Sequence, residues 1–166
     1  MKHLRHILIA IALVIASLST ASRASETEPV ATSKLVAMMA ELGHWSENNL
    51  ADMGLTKLVA ETEEDEECGE FSHFVYGRNV KIKTQEGWTV TLEPTGEHAC
   101  AVEVTLATDN FTKLYFKEKD DHDAFMMSAK QFNKASGSPY DDQLGPNLVE
   151  SEGYIDGWYV ITLHAG

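Results

Sequence analysis

The sequence predicts an α+β fold, a single domain in which a mostly antiparallel meander sheet carries helices packed on one face. Three observations carry that expectation. Period-two alternation fills the middle and the end of the chain, helical i, i+3, i+4, i+7 spacing appears before and after the central strands, and most strand connections are too short for parallel crossovers.

Lys2 and Arg5 precede an unbroken apolar stretch from Ile7 to Ile15, and small residues then run to Ala24. This is the pattern of a secretory signal peptide, cut after Ala24 or, as the alternative, after Ala21. The expected product is an exported domain of residues 25 to 166, secreted, or periplasmic in a bacterium. No cysteine follows the apolar core and no later apolar run is long enough for a transmembrane helix, so neither a lipid anchor nor stable membrane insertion is expected.

Residues 25 to 31 are polar and contain Pro29, a flexible lead. Thr32 or Ser33 offers an N-cap for a helix whose Leu35, Met38, Met39 and Leu42 share a face and whose stop is Gly43. A second, shorter helix is expected from Ser46 to Met53, ended by Gly54. Leu58 and Val59 then lead into an acidic run read as a loop, and Phe71 to Tyr76 alternates as a strand. Val80 and Ile82, the turn Gln85-Glu86-Gly87, and Trp88, Val90 and Leu92 make a hairpin with one buried face.

After Pro94-Thr95-Gly96, Cys100, Val102, Val104 and Leu106 fall on the core side of a strand whose other side carries Glu103 and Thr105. A turn at Asp109-Asn110 precedes another strand with Leu114 and Phe116 inward. Asp120 or Asp121 then caps a helix with Phe125, Ala129 and Phe132 on one face, Lys130 and Lys134 near its end, and Gly137 as its stop. A loop rich in glycine and proline leads to a final hairpin, Val149 to Ile155 and Trp158 to His164, joined by Asp156-Gly157.

Removing the leader deletes three of the 13 cationic residues and none of the 26 acidic ones, so the net charge moves from −13 to −16. Nucleic acid is excluded as an expected partner, because binding it depends on Lys and Arg displacing counterions from phosphates. The densest charge is Glu61, Glu63, Glu64, Asp65, Glu66 and Glu67, followed by Glu70. So many carboxylates resist burial and create a field that steers a basic protein, although the same run also serves as plain solvated surface. Cys68 and Cys100 form an even pair in an exported chain, which leads to the expectation of one disulfide holding the acidic segment in place.

Catalytic spacings are missing: the chain has no Gly-x-Ser-x-Gly elbow, phosphate loop, His-Glu-x-x-His, dinucleotide fingerprint or Ser-x-x-Lys. Asp120, Asp121, His122 and Asp123 would suit a hard cation but lack calcium-loop spacing, and helix capping explains the first two. No metal or other cofactor is therefore expected.

These readings converge on an exported acidic binding module, inhibitor-like or immunity-like, that engages a basic protein partner through Glu61, Glu63, Glu64, Asp65, Glu66, Glu67 and Glu70. Two alternatives stand beside it. One is a hydrolase or metal-dependent enzyme built from Asp120 to Asp123, Asp141, Asp142 and His164; the other is a small-ligand carrier with a pocket lined by Phe125, Phe132 and Trp158.

Overall fold

Asp156-Gly157 is the strongest turn signal in the chain, and both residues adopt positive φ, 51° and 86°, which suits a two-residue hairpin connection. In the computed structural model, which describes residues 28–40, 47–65, 69–106, 110–137, 143–144 and 147–165, they join β8 (Asn147–Ile155) to β9 (Trp158–Ala165). The proposed leader, Leu42, Gly43, Asp141 and Asp142 lie outside the described residues.

The other strands are β1 (Thr56–Asp65), β2 (Gly69–Arg78), β3 (Val80–Glu86), β4 (Thr89–Pro94), β5 (Cys100–Leu106), β6 (Asn110–Phe116) and β7 (Gln143–Leu144). The helices are α1 (Thr32–Ala40), α2 (Glu47–Asp52) and α3 (Lys119–Ser136). The result is a mostly antiparallel sheet with a few helices, broadly α+β.

The strand order is β1-β2-β5-β6-β9-β8-β7, while β3 and β4 pair only with each other. This corrects the expected meander in two places. β2 pairs directly with β5, placing Tyr76 opposite Val102, and β9 rather than β8 lies beside β6. The physical reason lies in β5, whose first five residues are buried irrespective of the face they point to. A strand covered on both sides belongs inside a sheet, so the β3–β4 ribbon packs over it instead of beside it. The Thr95 amide donates to the Asn79 carbonyl at 2.7 Å, and the Asn79 Nδ2 donates to the Glu97 carbonyl at 2.7 Å, pinning the ribbon's base.

Alternation along the strands divides the core. Leu35, Val36, Met38 and Met39 of α1, Leu50 of α2 and Phe125 and Ala129 of α3 share one cluster with Val102, Leu114, Phe116, Ile161 and Leu163. Their sequence neighbours Ala101 and Val160 belong to a second cluster with Val59, Val75, Leu92 and Trp158, packed against Ile82 and Val90 of the ribbon. The sheet thus buries apolar surface on both faces.

Three local expectations change. The acidic segment is not a loop up to Asp65, because β1 continues through it and pairs Glu64 with Glu70. At the start of α3 the N-cap position is Glu118, whose side chain makes no capping bond, and Asp120 and Asp121 lie in the first turn, where the helix dipole favours them. Ala31, whose carbonyl accepts from the Lys34 and Leu35 amides, precedes α1, so Thr32 is already helical; its hydroxyl meets that of Ser128 on α3 at 3.2 Å. The expected stops hold: Gly54 and Gly137 adopt φ of 78° and 74° just after their helices.

Candidate functional site

β1 is the terminal strand of the sheet, and it carries the first half of the acidic run. Glu63, Glu64 and Glu70 are exposed, and Glu61 is half-buried. Gln85 on the ribbon donates to the Glu61 carboxylate at 2.6 Å. An open cleft of about 770 Å3 follows this line, bounded by Ala60, Glu61, Thr62, Glu63, Gln85 and Gly87. Glu64 and Glu70 face each other across the ladder, a repulsive pairing. Two rungs along, the hydroxyls of Thr62 and Ser72 meet at 3.0 Å. Only the backbone of Asp65 is described, and Glu66, Glu67 and Cys68 lie outside the described residues.

Behind this edge lies a site that the sequence reading missed. His73 of β2, 0% exposed, meets Glu103 of β5, 6% exposed, through Nε2 and Oε1 at 2.9 Å. The Tyr115 hydroxyl of β6 donates to the other Glu103 oxygen at 2.5 Å, and Lys113 Nζ lies 3.6 Å from that oxygen. Burial, then the Glu103 charge and its hydrogen bond, push the Tyr115 phenol above its ordinary range, so it remains a proton donor. His73 Nδ1 is buried with no hydrogen-bond partner among the described residues. Trp88, in the turn of the β3–β4 ribbon, stacks on the His73 ring at 5.8 Å between centroids, with Phe71 edge-on to Trp88 at 5.9 Å.

Alternation places Glu103 on the face opposite Val102 and Val104, as the sequence predicts, but that face is covered too. Nothing in a single strand announces the second cover. The signal available was the ribbon's own apolar row, Val80, Ile82, Val90 and Leu92, which requires a surface to bury against.

The remaining candidates are dispersed. Asp121 is buried and its Oδ2 meets His98 Nδ1 at 2.9 Å. Asp123 is held below the usual carboxylate range, chiefly by the hydrogen bond from Lys119 and then by that from His122, but it is exposed and contributes little to stability. His122 Nε2 lies 3.9 Å from Glu152, beside an open groove of about 420 Å3 that Met126, Met127 and Lys130 also line. His164 stacks near Phe111 at 4.8 Å on the opposite face of the sheet from Leu163 and the α3-bearing cluster. Asp121, Asp123 and His164 therefore share no pocket, and no group of three metal-ligating side chains forms among the described residues.

Phe125 belongs to one core cluster and Trp158 to the other, so they line no common ligand pocket. Cys100 is a free, buried thiol, raised by burial to about 12 and therefore no nucleophile near neutral pH. It sits opposite Arg78 on β2, and Cys68, its expected disulfide partner, lies outside the described residues.

Comparison with protein-family models, curated proteins and solved structures gives no match to this chain.

Proposed function

We propose that residues 25–166 form one exported domain, secreted or periplasmic, with its helices on one face of the sheet, and that this domain is an acidic binding module for a basic protein partner. The observation that supports the reading is the position of Glu61, Glu63, Glu64 and Asp65 on a terminal strand, where Glu63 and Glu64 are exposed and one edge of the backbone pairs with no other strand among the described residues. An edge strand of this kind offers two attractions at once. Its free N–H and C=O groups pair with an added strand, and its carboxylates select one that carries Lys or Arg at alternate positions. The field steers the encounter, in the manner of an inhibitor or immunity-like protein.

Acidic edge strands also protect sheets from self-association, and the test separates the two roles. The quadruple variant E63Q/E64Q/E66Q/E67Q is compared with wild type in capture from the exported fraction over a salt series. Weaker capture of a basic protein, a shallower salt dependence and a nearly unchanged thermal midpoint are expected. Equal recovery of the same protein by both forms would reduce the acidic run to solvated surface.

A further inference from the structure

One face of α3 carries a graded stripe. Asp123, Met126, Met127 and Lys130 stand at i, i+3, i+4 and i+7, so they share a side of the helix. All four line the open groove of about 420 Å3 whose opposite wall includes Glu152 of β8. From the N-terminal end the stripe runs acid, apolar, base. Asp123 already accepts from Lys119 and meets His122 Nδ1, whereas the Glu152 carboxylate, half-exposed, lies 3.9 Å from His122 Nε2 at the same end of the groove. Tyr154 shares its strand face with Glu152, is 63% exposed, and holds its ring 4.8 Å from that of Tyr159. At the other end Lys130 is exposed and forms no ion pair among the described residues. Between the poles Met127 is 57% exposed.

We propose that this groove binds the carboxyl terminus of an extended peptide in which a basic residue stands two positions before an apolar last residue. Each part of the groove selects one part of that ligand. The terminal carboxylate pairs with the Lys130 ammonium, the last side chain covers Met126 and Met127, and a Lys or Arg side chain reaches Glu152, where the Tyr154 ring offers a cation–π face. Methionine adapts to apolar groups of different shape, so the last residue is selected as apolar and not as one residue type. The basic and the last side chain point the same way, because alternate residues of an extended chain share a face. The lengths agree as well. From Asp123 to Lys130 the helix rises about 10 Å at ~1.5 Å per residue, and three extended residues span about 10 Å at ~3.3 Å each. A peptide laid in the reverse direction brings its carboxylate to Glu152, and an amidated one leaves Lys130 without an anion. None of these residues belongs to the β1 edge, so the groove stands or falls independently of the acidic binding reading.

The test uses the full chain labelled with 13C at the methionine methyls, the Met126 and Met127 signals being assigned with M126L and M127L. It is titrated with the N-acetylated tripeptide Arg-Ser-Leu as the free acid and as the C-terminal amide. The free acid is expected to move both signals saturably, and the amide to bind roughly fivefold more weakly, the upper range for an exposed ion pair. K130Q is expected to bind acid and amide alike, and E152Q to lose the preference for Arg-Ser-Leu over its norleucine counterpart; both residues are exposed, and thermal unfolding checks that each variant keeps the wild-type fold. Methionine signals that stay still at about 10 mM free acid, enough to detect millimolar affinity, overturn the proposal. So does an acid-over-amide preference that survives in K130Q, and so do shifts that follow protein concentration without peptide, which assign the groove to a second copy of the chain. Should K130Q fail to fold, the wild type alone decides: equal binding of acid and amide refutes the proposal and weaker binding of the amide supports it.

Discussion

Glu103→Ala is expected to destabilise the protein by about 3–5 kcal/mol, the cost of removing one partner from a buried, hydrogen-bonded charge network. Each of the groups left behind contributes. His73, 0% exposed, loses the bond to Nε2 while Nδ1 already has no partner among the described residues, and the largely buried Tyr115 hydroxyl loses its acceptor. Lys113 is half-exposed and recovers its hydration, so it adds little. Glu103→Gln keeps the shape and one acceptor oxygen and is expected to cost less, about 1–3 kcal/mol. Urea unfolding of the two variants beside wild type measures both values. An Ala variant within ~0.5 kcal/mol of wild type, the range of an ordinary surface substitution, would show that the network is not closed as described.

The second large effect belongs to the core cluster that holds the buried residues of α3. Phe125 of α3 is 0% exposed and its ring lies 5.7 Å from that of Phe116 on β6. Phe125→Ala removes that contact and leaves a cavity that the rigid sheet cannot fill, for an expected loss of about 3–5 kcal/mol. Met127, two residues along and 57% exposed, faces away from the core. Met127→Ala is expected to stay within ~0.5 kcal/mol of wild type, and the pair is read by thermal or urea unfolding. Equal losses in the two variants would mean that α3 is docked on a different face.

What could be read from residues alone was local. The i, i+3, i+4 spacing in α1 and α3, the stops at Gly54 and Gly137 and the Asp156-Gly157 hairpin each follow from neighbours within a turn or two of the chain, and those elements fold where the pattern places them. Strand order does not follow from neighbours. A meander is the default when connections are short, and it failed where the β3–β4 ribbon leaves the sheet, because the covering of β5 on its second face is decided by residues from four other strands and the ribbon. The same fact hid the site. Glu103 looks like an ordinary outward residue in the sequence, and only the ribbon laid over it turns it into a buried acid with His73 and Tyr115 around it. The acidic run was legible as charge, while its position on an edge strand depended on a pairing between Glu64 and Glu70 that charge alone argues against.

The claim on which the functional reading rests is that β1 is an open edge able to accept a basic strand. Amide hydrogen exchange of the full chain, with and without an alternating lysine–threonine peptide, tests it most directly. The expected result is added protection concentrated in residues 56–65 and abolished in E63Q/E64Q/E66Q/E67Q. No protection there, or protection centred on the opposite edge of the sheet, at β7 and residues 149–155 of β8, would contradict it.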